Sequence, residues 1–423
     1  VESFYIKTLG CRLNQSESAM MAKQLEDAGL RTGASPAESD YIIIHSCTVT
    51  AAADSKTLAL ARRFRRENLT ARIVVAGCMS QVAQEKLCQV PEVDAIVGND
   101  EKNSIVQAIR SKQRVQVKSI HEPRLPLQLV TQSSGNERVN VKIQDGCNNR
   151  CSYCLVTVAR GPSRSIEPER IIQVVQQLSG HYPEIVLSGV HIGSYGHDFI
   201  PSTTLSELVA RLLEIPGLGR LRLSSIEPTE IDPLLLELLD HPRFCPHLHV
   251  SLQSAHDTIL QSMNRPYQWL WALERIIEIR ERSRHLKLGT DIIVGYPGES
   301  DEMYQTIARR IADSPLNYLH VFPYSPRQGT PAATLPHQVS GEVKKERAVH
   351  MRQVGKDLQR SFHRTCLGQV RPVILESGSD YLKGESDNYI SVRVRENSDY
   401  APVAMMRLVD LCDDGQGMLG ELL

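Results

Sequence analysis

Along the first hundred residues, short β-branched and apolar runs alternate with segments whose apolar positions recur every three to four residues. The runs Ser3–Leu9, Tyr41–His45, Ile73–Ala76 and Ala95–Val97 predict strands, and Glu17–Ala28, Thr57–Glu67 and Val82–Leu87 predict helices. This alternation predicts a small open α/β domain with a parallel sheet over 1–120. A segment with Pro123, Pro126 and the run Gln132-Ser133-Ser134-Gly135 breaks the pattern and reads as a linker over 121–136.

A second alternating series follows over 137–340. Strands are predicted at Arg138–Ile143, Glu184–Leu187, Arg220–Ser224, His247–Leu252, Lys287–Val294 and Tyr318–Phe322. Helices fit between them at Pro168–Leu178, Leu205–Glu214, Pro233–Leu239, Trp269–Arg284 and Asp301–Asp313. Such a series predicts a partial (βα)6 barrel with functional loops at the carboxyl ends of its strands. Gly341–Thr365 reads as one connecting helix, with Met351, Val354, Leu358 and Phe362 as its apolar stripe. Beyond it, 366–423 carries the strand-like runs Val370–Leu375, Tyr389–Val394 and Met405–Leu411, parted by turns such as Leu382-Lys383-Gly384-Glu385. That pattern predicts a small all-β barrel. The expected fold class is therefore α/β, with an all-β module at the end.

Composition narrows the function classes. The 423 residues carry a net charge of -1, with 41% hydrophobic and 23% charged residues, which suits about three globular domains. No apolar run approaches the roughly 18–20 residues that span a bilayer, so no membrane partner is expected. The opening VESFYIKTLG lacks the charged-then-apolar form of a secretion signal, and a cytoplasmic location is expected. Ten cysteines in such a chain point to metal or catalysis more than to a disulfide framework.

Three of the ten crowd into the run DGCNNRCSYC, directly after the first predicted barrel strand. Three thiolates on one loop can hold three irons of a [4Fe–4S] cube and leave the fourth open to a small ligand. A structural zinc would want a fourth protein ligand, and three unrelated core thiols are a poor account of so tight a cluster. Tyr153, between Cys151 and Cys154, suits a core position or the face of a bound adenosyl group. The stretch CNNRCSYC resembles the signature of the radical S-adenosylmethionine (SAM) superfamily. That resemblance implies that Cys147, Cys151 and Cys154 bind a cluster whose open iron chelates SAM, and that SAM is cleaved to a 5′-deoxyadenosyl radical. It also implies backbone contacts to SAM at Gly189 in LSGV and at Ile293 and Gly295 in DIIVGYPG. Asp145, Arg160 and Arg164 lie near the loop in sequence and are candidates to orient substrate or the SAM carboxylate.

Cys11, Cys47 and Cys78 each stand just past a predicted strand of the first domain. In a parallel sheet those strand ends share one edge, and a spacing of about 4.8 Å brings such thiols together. A second cube and buried cysteines in turns are both open readings on these grounds. Cys88, Cys245, Cys366 and Cys412 lack this placement and are assigned to packing.

The motifs TLGCRLNQSES, HSCTVTAAADSK, VVAGCMSQ, ARGPSRS, LSSIEPTE, LQSAHDTILQSMNR and HVFPYSPRQGTPAA resemble those of the methylthiotransferases. CTVTAAAD and HVFPYSPRQGTPA are most similar to the tRNA N6-threonylcarbamoyladenosine subfamily, and YLKGESDNYISVRV resembles a TRAM domain. The resemblance implies an auxiliary [4Fe–4S] cluster on Cys11, Cys47 and Cys78. It implies methylthiolation of C2 of the modified adenosine at tRNA position 37, two SAM per turnover, an external electron donor and an external sulfur source. A monomer is expected. Isopentenyladenosine, a ribosomal protein side chain and a non-catalytic iron–sulfur RNA-binding role are the alternatives.

Charge is distributed in a way that bears on RNA. Residues 1–120 carry 16 basic and 13 acidic groups, whereas 366–423 carry 5 and 10. Arg62, Arg63, Arg65 and Arg66 form one basic group, and Arg352, Lys356, Arg360 and Arg364 form a stripe on the long helix. The acidic tail would repel phosphate unless Lys383, Arg393 and Arg395 gather on one face.

Overall fold

The computed structural model of the chain describes residues 1–120, 131–133, 137–283, 285–376, 382–394, 401–413 and 415–423. The first domain is a six-stranded sheet in the order Arg31–Thr32, Ser3–Thr8, Tyr41–Ser46, Arg72–Gly77, Ala95–Val97, Val115–Gln116. Every neighbouring pair is parallel. Helices cover both faces, which is why its central strands are continuous apolar runs. Ile42, Ile44, Ile73 and Val75 pack on one side with Ala61 and Phe64; Ile43, Val74 and Ala76 pack on the other with Met21 and Leu25. The helix Ala51–Glu67 starts six residues before the sequence pattern placed it, because the Thr50 side chain accepts from the Ala53 amide at 3.2 Å and caps it. The helix expected at Val82–Leu87 is two short ones, Cys78–Val82 and Gln84–Cys88.

Six parallel strands form the central barrel wall: Arg138–Lys142, Glu184–Ser188, Arg220–Leu223, His247–His249, Lys287–Val294 and Tyr318–Pro323. Single bridges, Leu221 with Phe244 and Ile226 with Val250, join the third strand's side to the fourth's. Among the described residues no pairing closes the last strand onto the first. Most of the segment read as a linker lies outside the described residues, but Thr131–Ser133 is a strand that extends the barrel wall antiparallel to Arg138–Lys142. Alternation along the strands sends Val139, Val141, Leu221, Leu223, Leu248, Leu288 and Ile292 to the helix-covered core. Their neighbours, many of them charged, line the lumen.

The helix Gly341–Thr365 is capped by Ser340, whose side chain accepts from Val343 at 3.3 Å. Its Met351, Val354 and Leu358 join the barrel core, and Phe362 enters the core of the last domain. That domain is a closed five-stranded barrel. Lys383–Ser386, read from sequence as a turn, is one of its strands. Gly384 serves there as a point of close approach, since a Cβ would lie 2.3 Å from the Ile374 carbonyl oxygen. The small barrel closes the amino end of the large one: Arg138 reaches Glu376 at 2.5 Å and Glu385 at 2.7 Å, and Lys287 donates to the Tyr389 carbonyl at 2.6 Å.

Candidate active site at the domain junction

The strands Ser3–Thr8, Tyr41–Ser46 and Arg72–Gly77 are neighbours, so the residues that follow them meet at one edge. Cys11, Cys47 and Cys78 stand there, Cys11 exposed and the other two buried. Gly10 adopts φ +95°, and a Cβ on it would lie 2.6 Å from the Cβ of Cys47 and 2.9 Å from its Sγ. Only glycine permits this approach of the Cys11 turn to Cys47. Burial pushes the Cys47 thiol up to about 11, with Cys78 and Cys11 close enough to add to the effect.

Cys147, Cys151 and Cys154 occupy the loop after the first barrel strand, each partly buried. Burial pushes the Cys154 thiol up to about 12, again with the other two cysteines contributing. A thiol in such a place ionises when a metal supplies the compensating charge. The backbone is arranged for that state. The amides of Val49, Asn149 and Val156 point at the sulfurs of Cys47, Cys147 and Cys154, at 3.5, 3.4 and 3.4 Å. The same two-residue offset recurs in both triads, and amides aimed at sulfur stabilise iron–sulfur clusters. No disulfide joins any of the six. The donor set therefore fits three-cysteine cluster ligation at both places.

Around the barrel loop lies a ring of polar groups that sequence reasoning missed. Arg265 donates to Cys151 Sγ at 3.5 Å and to Glu227 at 2.8 Å, and Asn149 donates to Glu227 at 3.1 Å. His191 stands 3.5 Å from Cys147 Sγ and pairs with Glu230. Burial opposes its protonation, but Cys147 and Glu230 outweigh that and push it up to about 10. Gln144 accepts from the amides of Val190 and His191 at 3.0 and 2.8 Å and donates to the Gly146 carbonyl at 2.8 Å, tying the strand ends together. The signal for three of these was present, since Glu227 and Glu230 lie in the motif LSSIEPTE and Arg265 ends LQSAHDTILQSMNR.

Of the residues tied to SAM by resemblance, Tyr153 and Ile293 share one apolar cluster with Met263, Tyr296 and Tyr324 beside the loop. Gly189 abuts Gln144, whose oxygen would be 2.9 Å from a Cβ there. Gly295 turns with φ +70° and donates its amide to Glu299 at 2.8 Å.

Arg160 and Arg164 both enter a network of charges at the domain junction. Arg160 is buried between the domains, donating to Glu17 at 3.0 Å, to Asp145 at 2.9 Å and to Asn14 at 2.9 Å. Arg164 reaches Asp100 at 3.3 Å and Asp145 at 3.7 Å. These contacts make Arg160 a bridge between the first domain and the barrel. Glu17 also receives Lys102 at 2.5 Å and Lys142 at 2.7 Å. Although burial opposes its ionisation, Arg160, Lys102 and Lys142 hold its carboxyl well below the usual range.

This network sits against both cysteine triads. Asn99 donates to Cys78 Sγ at 3.6 Å and to the Ala159 carbonyl at 2.6 Å. The helix Cys78–Val82 packs on Val156–Arg160, which begins two residues after Cys154. On the other flank Arg327 donates to Thr48 at 2.6 Å and to Asp54 at 2.5 Å, beside Cys47.

The basic groups fare unevenly. Arg65 is structural, bound to Asp94 at 2.5 Å and to the Ala71 carbonyl at 2.8 Å, while Arg62, Arg63 and Arg66 are exposed. Arg352, Lys356 and Arg364 are exposed on the long helix, and Arg360 is half-buried. Lys383 and Arg393 face each other across paired strands; Arg395 lies outside the described residues.

Comparison with known proteins settles the chemistry. The Radical SAM superfamily matches residues 141–311, and the family described as Uncharacterized protein family UPF0004 matches residues 3–98. A threonylcarbamoyladenosine tRNA methylthiotransferase MtaB of Rickettsia prowazekii is 35% identical over 92% of this chain and 90% of its own length. The chain belongs to the radical SAM methylthiotransferase family. A tRNA-2-methylthio-N(6)-dimethylallyladenosine synthase of Moorella thermoacetica is 32% identical over 91% of this chain and 90% of its own. Among solved structures, the radical S-adenosylmethionine methyltransferase TsrM from Kitasatospora setae shares the fold, with a TM-score of 0.56 and 14% identity over 78% of this chain and 77% of that one. As a member of the family, this methylthiotransferase uses iron–sulfur and SAM.

Proposed function

We propose that this methylthiotransferase transfers a methylthio group to C2 of N6-threonylcarbamoyladenosine at tRNA position 37, using two [4Fe–4S] clusters and two SAM per turnover. The observation that carries the two-cluster reading is the packing of the Cys78 helix on the helix that follows Cys154. When bound with SAM, a reduced cluster on Cys147, Cys151 and Cys154 supplies a 5′-deoxyadenosyl radical, strong enough to take an unactivated C2 hydrogen.

The chain's own residues supply positions and surroundings. Arg265, His191 and the amides of Asn149 and Val156 stabilise negative charge on the barrel cysteines. Val49 and Asn99 do the same for Cys47 and Cys78. Tyr153, Ile293 and Tyr324 offer an apolar wall that excludes water and suits an adenine face. Glu17, Arg160 and Arg327 hold the two cysteine edges at a fixed separation. Lys383 with Arg393, and Arg352, Lys356 and Arg364, are the cations offered to the phosphate backbone. The balance of the reaction needs an external reductant and a sulfur source. A monomer acting in the cytoplasm, where tRNA is modified, completes the reading.

A second reading has a specific observation in its favour: the Moorella relative named for dimethylallyladenosine is nearly as similar as the Rickettsia one. An anaerobic assay with SAM, a reductant and tRNA lacking the methylthio group, followed by nucleoside mass spectrometry, separates them. A methylthio adduct on threonylcarbamoyladenosine supports the proposal. An adduct on isopentenyladenosine, or release of 5′-deoxyadenosine with no modified nucleoside, overturns the substrate assignment.

A further inference from the structure

Three adjacent barrel strands bring two imidazoles and a carboxylate together on the lumen face, apart from either cysteine triad in sequence. His249 ends the strand His247–His249, Asp291 lies within Lys287–Val294, and His320 pairs with Asp291 in register. Their neighbours Leu248, Leu288 and Ile292 are in the helix-covered core, so these three point the other way. One donor atom from each lies within 4.8 Å of the other two. His249 Nε2 is 2.9 Å from Asp291 Oδ1, and His320 Nδ1 is 3.4 Å from the same oxygen. An ion about 2.1 Å from each donor requires donors about 3.0–3.4 Å apart, for angles from square to tetrahedral. The two separations from Asp291 lie close to that span, and the two imidazole donors are within 4.8 Å of each other.

The surroundings of His249 point the same way. The His249 side chain is only 6% exposed, and its buried Nε2 has Asp291 2.9 Å away but no hydrogen bond. Its Nδ1 stands 2.9 Å from the Tyr318 hydroxyl, which is 2.8 Å from His247 Nε2. An outer hydrogen bond on the far ring nitrogen is the usual support of a metal-binding histidine. His320 is 56% exposed, so the remaining coordination positions open toward the mouth of the lumen.

We propose that His249, Asp291 and His320 form a mononuclear site for a first-row divalent ion, such as zinc or iron(II), with open positions for water or an anionic oxygen donor. Two imidazoles and one carboxylate on one side of an ion are a donor set such metals favour. Tyr318 orients His249 within the site.

The test uses cluster-loaded enzyme, in which iron occupies the cysteines. Anaerobic dialysis against zinc chloride and then metal-free buffer is followed by metal analysis and zinc X-ray absorption. The expected result is about one zinc per chain in a nitrogen and oxygen shell, with distances near 2.0–2.1 Å. His320→Ala and Asp291→Asn should lose the zinc while iron content stays unchanged, and Tyr318→Phe should weaken zinc binding about 10- to 100-fold. Unchanged iron confirms that each variant folds. Sulfur in the zinc shell at about 2.3 Å, zinc retained by both ligand variants, or no zinc retained by the unaltered enzyme would each overturn the proposal.

Discussion

Glu17 is the point at which charge is most exposed to perturbation. In the fold it faces Lys102 at 2.5 Å, Lys142 at 2.7 Å and Arg160 at 3.0 Å. Its side chain is 1% exposed. Glu17→Gln keeps the volume and removes the charge, leaving those three cations with Asp145 as their buried carboxylate. Breaking a buried pair in this way costs about 3–5 kcal/mol. An independent bound comes from Lys102, whose proton burial already disfavours. If the variant folds with Lys102 neutral, it forfeits about 1.36 kcal/mol per pH unit below the unfolded lysine value of ~10.4, or ~4.6 kcal/mol at pH 7. The unfolded chain then binds one proton more than the folded one, so stability rises with pH up to that value. Between pH 7 and pH 9 the deficit should shrink by about 2.7 kcal/mol. Urea unfolding of anaerobic, cluster-loaded enzyme, followed by circular dichroism at both pH values, measures it. Adding Lys102→Met to the variant should recover part of the loss at pH 7. A wild-type midpoint for Glu17→Gln, or a deficit that does not change with pH, would refute the reasoning.

Other expectations follow from single contacts. Gly10→Ala places a Cβ 2.6 Å from Cys47 Cβ at a φ of +95°, so iron content should fall by about half while SAM cleavage persists. Arg327→Met removes the buried partner of Asp54 at 2.5 Å; methylthiolated product should drop at least tenfold with 5′-deoxyadenosine release retained, as read by mass spectrometry. His363 is buried with neither ring nitrogen hydrogen-bonded, and burial pushes it down to about 3. It stays neutral in the fold while its unfolded counterpart protonates below ~6.5, so the wild type loses about 1.4 kcal/mol per pH unit as pH falls from 6.5 toward 3. His363→Leu should remove that slope and gain about 2 kcal/mol relative to wild type between pH 7.5 and pH 5, by urea titration.

Tyr41–Ser46 and Arg72–Gly77 could be read from sequence because strands buried on both faces are unbroken apolar runs. Cys47 and Cys78 could be placed because each follows such a run directly. The lumen was harder. Lys142, Asp291 and His320 sit at alternate strand positions, where charge ordinarily signals solvent, and nothing local shows that here it faces a barrel interior. The network of Glu17, Lys102, Lys142 and Arg160 joins positions far apart in the chain, so no spacing could announce it. Sequence proximity to Cys154 was the available guide for Arg160, and it could not show that Glu17 and Asn14 of the first domain are among its partners. Lys383–Ser386 looked like a turn because Gly384 usually marks one, whereas here it admits the Ile374 carbonyl.

The division of labour between the two cysteine triads is tested most directly by Cys47→Ala in the anaerobic tRNA assay, with iron, 5′-deoxyadenosine and modified nucleoside measured on one sample. The account predicts about four irons per chain in place of about eight, continued release of 5′-deoxyadenosine, and no methylthio product. Full iron content with methylthio product still formed would contradict it.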